Sequence, residues 1–388
     1  MVDAVISGIG EVAPSRRLNL PASALVLRSI KDALADAGIE AADIEAVVTE
    51  SSVTPVLAPI ADVASAAQLR DLRMSAMTSP VAAGIFQAIG IADLMVSSGA
   101  AKHVLVYYGL DWGTKPLGPS AYHEAMLAKS FIENPPGFAG PPLYFAVIAK
   151  RYANVYGLSD DELEIALSEI VLANRFNAVA HPGAQAREPM DLVAYRESPM
   201  IAEPLRKADC ALLSDGAIAV IVSQRKCVDT SRHVGVRLSG WAWAQDSVSD
   251  SSFYSQSELP LLKAASIAGP DALQRSGMST NDIDLVEVYD CFSIATILQL
   301  ESLGFCPPGS GPSYVSGGSL RFNGSHPTNT HGGLLSHGYV MGANHFIEAV
   351  QQLRGEAGER QVSDASTAMV GAGPGRQYTA LVLRRDDD

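Results

Sequence analysis

The sequence predicts an α/β fold built from two related halves, and three observations carry that expectation. A segment starting at Asp32, DALADAGIEAADIEAVV, returns at Asp271 as DALQRSGMSTNDIDLVEV. Asp32, Ala33, Leu34, Gly38, Asp43, Ile44 and Val47 each meet the same residue 239 positions later. Both copies spell a helix that stops at a glycine, a short turn, an Asp near the next start and an apolar strand. Strands and helices also alternate along the chain, which argues for mainly parallel sheets. Of the 388 residues, 47% are hydrophobic and 18% charged, enough apolar material for one large domain or two ordinary ones.

The elements follow in order. After the first copy of the repeat, GIFQAIGIADLMVSSG from Gly84 reads as a buried helix and HVLVYYG as the strand after it. An insertion from about residue 111 to 207 is rich in Gly, Pro, Tyr and His. It contains the helical pattern YFAVIAKRYANVYG and a turn at AHPGA, and an insertion of this kind forms a lid or binding wall. ADCALLSDGAIAVIVS reads as a loop entering a buried strand, and the hinge between halves falls near Gln224 to His233. This division gives an N-terminal half over 1–225 and a C-terminal half over 226–388. In the second half GANHFIEAVQQLRG puts Ala343, Phe346, Ile347, Val350 and Leu353 on one helical stripe, and STAMVGAG supplies a strand.

Several function classes are disfavoured by composition. A formal net charge of −14 with scattered Lys and Arg gives no electrostatic footprint for nucleic acid. MVDAVISGIGEVAP shows no basic segment followed by a long apolar run, so no signal peptide is expected. No apolar stretch reaches the length of a membrane span. Cys210, Cys227, Cys291 and Cys306 form neither a CxxC pair nor a zinc set. Reduced thiols in a cytoplasmic protein without a metal are expected.

Two segments could carry chemistry. In VEVYDCFSIATILQLESLGFCPPG, a strand ends at Val288 and a helix runs from Ile294. Tyr289, Asp290 and Cys291 therefore stand at a strand's carboxyl end, where α/β folds place ligands. In NTHGGLLSHGYVMGANHF, glycines 332, 333, 338 and 342 permit tight turns just before a helix. That loop can bring His331, His337 or Tyr339 to a substrate, and the helix start favours an oxyanion. Each residue also has a plain structural alternative. The tyrosines can be half-buried packing residues, Asp290 a helix cap, Cys291 a small core residue, and the histidines partners of nearby backbone.

Taken together, the duplicated halves, ADCALLSDGAIA, YDCFSIATILQLESLGFCP, GGLLSHGYVMGA and LRGEAGERQV resemble the thiolase superfamily over essentially the whole chain. The closest type is the thiolase domain of sterol carrier protein x and its bacterial relatives. The fold implied is a duplicated five-layer αβαβα thiolase fold with an inserted loop subdomain. The departures are specific. Where thiolases carry a nucleophilic Cys, this chain reads SPVAAGIFQAIG, and no Cys occurs before Cys210. Tyr289 stands for the family's Asn or His in the second motif, and Tyr339 for the His of its Gly-His-Pro motif. The C-terminal Cys-x-Gly turn is replaced by GAGPG, from Gly371 to Gly375.

Without a thiolate to hold the acyl group, thiolysis and Claisen condensation are not expected. Two tyrosines at these motifs resemble the thiolase-like steroid aldolases of bacterial sterol side-chain degradation, once called lipid-transfer proteins. The reaction implied is retro-aldol cleavage of a steroid β-hydroxyacyl-CoA, with a tertiary 17-hydroxyl, to a 17-ketosteroid and a short acyl-CoA such as propionyl-CoA. Such a step needs a base, enolate donors and an acid, but no acyl-enzyme. Tyr289 and Tyr339 are assigned as the acid/base pair, without deciding which is which. His331 and the backbone N–H groups near Ala83 and Gly373 are candidate substrate or oxyanion contacts. No cofactor is expected beyond the coenzyme A of the substrate. The resemblance also implies a homodimer and a separate partner chain with an OB-fold and often a zinc ribbon. Two other readings remain: a non-catalytic lipid- or acyl-CoA-binding subunit, and a thiolase using Cys291 or Cys306.

Overall fold

In the computed structural model, which describes residues 2–50, 57–78, 82–115, 131, 135, 137–138, 140–246, 262–373 and 375–386, both copies of the repeat fold alike. The first half runs β1 (Ala4–Ser15), α1 (Ala22–Ala37), β2 (Ala46–Glu50), β3 (Met74–Thr78), α2 (Ala82–Ser97) and β4 (His103–Asp111). It continues through α3 (Pro141–Tyr156) and α4 (Asp160–Val179) to β5 (Asp215–Gln224). The second half runs β6 (Val236–Gln245), α5 (Lys263–Ser276), β7 (Leu285–Val288), α6 (Ser293–Ser302), α7 (Ala343–Arg354), β8 (Thr367–Ala372) and β9 (Gln377–Arg385).

The residues shared by the two copies have local reasons. Helix α1 ends at Gly38 with φ 67°, and α5 ends at Gly277 with φ 73°. That left-handed conformation favours glycine. Asp43 and Asp282 each close a capping box on a turn of 3-10 helix, taking the N–H of Glu40 at 2.9 Å and of Ser279 at 2.8 Å. Val47 and Val286 then lie inside β2 and β7.

The sheets repeat the same plan. The first has strand order β1-β5-β4-β2-β3 and the second β6-β9-β8-β7, so the first differs by one added edge strand. Pairs β1/β5, β5/β4, β6/β9 and β9/β8 are antiparallel, while β4/β2, β2/β3 and β8/β7 are parallel. The expectation of mainly parallel sheets is thus corrected to mixed sheets. Helices α1 and α5 cover the outer faces, and α2 and α7 fill the space between the sheets, touching both. The thiolase fold, five layers in αβαβα order, is the result. Strands buried on both faces become continuous apolar runs, a signal that reports two-sided burial rather than strand direction.

The central layer is close-packed. A Cβ on Gly90 of α2 would lie 2.4 Å from Cδ2 of Trp241 on β6. Gly90→Ala therefore forces the indole or the helix to move, and we expect a loss of about 1–3 kcal/mol in denaturant unfolding. A thermally unchanged variant would show that the layer yields. Among the described residues no helix is long and apolar enough to cross a membrane.

Residues 116–130, 132–134, 136 and 139 of the insertion lie outside the described residues. Its described part braces the second half. On α4, Asn177 Nδ2 donates to the carbonyls of Thr328 and Asn329 at 3.2 and 3.1 Å, and Arg175 Nε donates to Ser336 Oγ at 3.1 Å.

Candidate active site

Strand β7 delivers Tyr289. Val288 lies opposite Gly371 of β8, and the Tyr289 N–H donates to the Gly371 carbonyl at 3.1 Å. The Tyr289 carbonyl accepts from Gln299 Nε2 at 2.7 Å, and Gln299 Oε1 accepts from the Tyr378 hydroxyl at 3.0 Å. Gly342, with φ 82°, opens α7 against the tyrosine ring. A Cβ there would lie 2.6 Å from Tyr289 Cδ2. The loop before α7 delivers Tyr339, whose N–H donates to Ser214 Oγ at 3.0 Å. Its ring stacks on Trp112 with centroids 5.7 Å apart. The two phenol oxygens meet at 2.7 Å, with both residues less than a tenth exposed.

A buried polar layer holds this pair from behind. Asp290 accepts from the Leu334 N–H at 2.8 Å and from Asn174 Nδ2 of α4 at 2.6 Å. It grips the 333–337 turn that leads to Tyr339; the residue preceding α6 is Phe292. His345 on α7 lies between two carboxylates, with Nδ1 3.0 Å from Glu287 Oε2 and Nε2 3.3 Å from Asp290 Oδ1. Burial disfavours its charge, but these two partners outweigh burial and raise its pKa to about 9. Glu287 also faces His331 Nδ1 at 3.1 Å, and its other oxygen accepts from the Thr330 N–H and hydroxyl. Burial works against the charge on Glu287 too, yet the imidazoles hold its pKa below the usual carboxylate range. Glu287, His331 and His345 bring ligand atoms within 4.8 Å of one another. An imidazolium bridging two carboxylates is the charge arrangement this geometry supports.

Asn344 Nδ2 lies 3.1 Å from His331 Nε2, 3.0 Å from His337 Nδ1 and 3.2 Å from the Gly338 carbonyl. Burial and neighbouring positive charge push the pKa of His337 far down, so its ring is neutral and can accept.

The structure brings Tyr289 and Tyr339 together. Ala83 and Gly373 form a second pair: a Cβ on Gly373 would lie 3.1 Å from that of Ala83, and Gly373 follows Gly371 by two residues on β8's exit. Ala83 stands at the start of the described part of α2. His331 stands deeper, 1% exposed, with His337 and His345 as ring neighbours. Residues 79–81 at the thiolase nucleophile position, and Pro374 of GAGPG, lie outside the described residues. Sequence reasoning missed Trp112, Met341 and Asn174. Nothing in their spacing marks them, because each acts from an element remote from the two motifs or as an ordinary apolar residue.

Cys210, Cys291 and Cys306 make poor nucleophiles. Burial pushes the Cys291 thiol well up, Cys210 to about 12 and Cys306 to about 11.

Comparison with known proteins agrees with the fold. The family described as "Thiolase C-terminal domain-like" matches residues 246–385. The chain is 28% identical to the steroid side-chain-cleaving aldolase of Thermomonospora curvata, over 99% of this chain and 98% of that one. It is 28% identical to the 17-hydroxy-3-oxo-4-pregnene-20-carboxyl-CoA lyase of Mycobacterium tuberculosis, over 98% of each. Among solved structures, an Ltp2-ChsH2(DUF35) aldolase superposes with TM-score 0.90 at 26% identity, covering 99% of this chain and 98% of that one. The chain therefore has the thiolase fold and is similar over its whole length to these bacterial steroid side-chain aldolases.

Proposed function

We propose that this chain is a carbon–carbon lyase that cleaves a steroid β-hydroxyacyl-CoA by a retro-aldol step, releasing a 17-ketosteroid and a short acyl-CoA such as propionyl-CoA. The observation that carries the reading is the pair of buried phenols 2.7 Å apart in the motifs where a thiolase holds its polar catalytic groups. The named activities of the two full-length relatives support it. Tyr289 and Tyr339 act as the acid/base pair, and the N–H groups of Ala83 and Gly373 serve the thioester enolate. Since the fragment released is a ketone, no acyl-enzyme forms, and Cys291→Ala is expected to keep turnover within a few fold. A folded Cys291→Ala protein without turnover would return the chain to thiolase chemistry. Ketone release from a steroid β-hydroxyacyl-CoA, followed by chromatography, tests the reading. Binding without ketone release, with or without a partner, would favour a non-catalytic subunit.

The assembly is proposed on two grounds. The similar aldolase is named together with a DUF35 chain, which supports a separate partner; we assign that partner an OB-fold with a zinc ribbon. Strand β3 is a sheet edge carrying Met74 and Met77, 39% and 50% exposed, which supports a homodimer joined along this edge. Light scattering of the purified chain reads the dimer directly.

A further inference from the structure

The LSDGA segment has no part in the acid/base pair, yet its residues hold Tyr339 from two sides. Asp215 opens β5 between its two neighbouring strands, opposite Ser15 of β1 and Asp111 of β4. Ser214 and Asp215 are both fully buried. Ser214 Oγ accepts from the Tyr339 N–H at 3.0 Å. The one proton of that hydroxyl faces Gln185 Oε1 at 2.9 Å and the Leu212 carbonyl at 3.1 Å. The Ser214 carbonyl accepts from the N–H of Gly113, the residue after Trp112, at 3.1 Å. Asp215 continues along the same turn. Its carboxylate accepts from the Thr114 N–H at 2.8 Å, from the Thr114 hydroxyl, and from the Leu18 N–H at 2.6 Å.

That turn carries Trp112, whose ring stacks on the Tyr339 ring at an interplanar angle of 17°. Two consecutive residues therefore hold the tyrosine by its backbone, through Ser214 Oγ, and by one ring face, through the Trp112 turn. The fit leaves little slack. A Cβ on Gly338 would lie 3.1 Å from Ser214 Oγ, and one on Gly216 would lie 2.7 Å from Cγ2 of Val340. The insertion closes the arrangement: the N–H groups of Gln185 and Ala186 donate to the carbonyls of His337 and Ser336, each at 2.9 Å.

Resting on the aldolase reading, we infer that Ser214 and Asp215 are positioning residues for that reaction, which hold Tyr339 against Trp112 and so set the approach of its hydroxyl to Tyr289. The residue types suit the task. A serine hydroxyl accepts and donates at once, and a carboxylate takes several donors on its two oxygens. The effect on rate can be large, because a misplacement of about 1 Å at a reacting group can cost about 10²-fold.

The test uses the full chain with any partner it requires and ketone release from a steroid β-hydroxyacyl-CoA. Ser214→Ala leaves the Tyr339 N–H without that acceptor. Its kcat should fall about tenfold to a hundredfold while KM stays within about twofold. In a Tyr339→Phe background the same change should cost less than about twofold, because the hydroxyl it positions is gone. Asp215→Asn, which exchanges an acceptor for a donor, should show the same split and the same loss of effect in that background. Amide exchange in Ser214→Ala should quicken in the peptide carrying Tyr339 and stay unchanged in the one carrying Tyr289. Should Ser214→Ala fail to fold, Gln185→Ala, at a half-buried side chain, removes an acceptor of the Ser214 hydroxyl. It should lower kcat about threefold to tenfold with KM unchanged. A wild-type kcat in the folded variant, a fall of equal size with and without the Tyr339 hydroxyl, or a loss confined to KM would overturn the positioning role and leave the aldolase reading intact. No ketone release from the wild-type assembly would remove both.

Discussion

Tyr289→Phe and Tyr339→Phe are each expected to fold and to lose about 10²–10⁴-fold in turnover on a steroid β-hydroxyacyl-CoA. Each substitution removes one oxygen and leaves the ring in place. The stacking of Tyr339 on Trp112 and the packing of Tyr289 against Gly342 survive. The hydroxyl left behind keeps the Met341 sulfur as a neighbour, so stability should move by less than about 1.5 kcal/mol. Because the two oxygens work across one 2.7 Å contact, the double variant should be scarcely slower than the poorer single one. Near-parental turnover in either single variant would reduce that tyrosine to packing.

How much of this was legible in the sequence differs by level. The repeat showed the duplication because capping glycines and Asp residues are local requirements that chemistry repeats. Strand direction was hidden, since β5 and β9 are buried on both sides and such runs look alike in either direction. The strand end and the glycine-rich loop marked Tyr289 and Tyr339 as candidates, but a packing role stayed open on spacing alone, and only the family motifs chose between the two. The polar face of α7 was the least legible part. Ala343, Phe346, Ile347, Val350 and Leu353 form the apolar stripe the periodicity marks, and all are buried. Asn344, His345 and Glu348, off that stripe, are buried as well. Their partners, Glu287, Asp290 and Arg360, come from elements far away in sequence, so helical periodicity could not reveal the network.

That network makes stability depend on pH with a defined sign. His345 has a folded pKa of about 9, above its ordinary 6.5. Its stabilising effect is therefore fully present below about pH 6.5 and is lost as pH rises toward 9. Glu287 is shifted the other way, so its share is present at neutral pH and is lost only in acid. His345→Phe keeps a planar ring but leaves the Glu287 and Asp290 carboxylates without the cation between them. Breaking a buried pair in this way costs about 3–5 kcal/mol. The difference between wild type and variant in denaturant unfolding should be largest near pH 6 and should shrink by pH 9. Turnover should fall too, although His345 touches neither phenol oxygen: the Asp290 grip on the turn before Tyr339 loosens, and with it the 2.7 Å approach of the two hydroxyls. A stability difference of the same size at both pH values would show that His345 only fills space, and that the loop is held by Asn174 and the backbone amides alone.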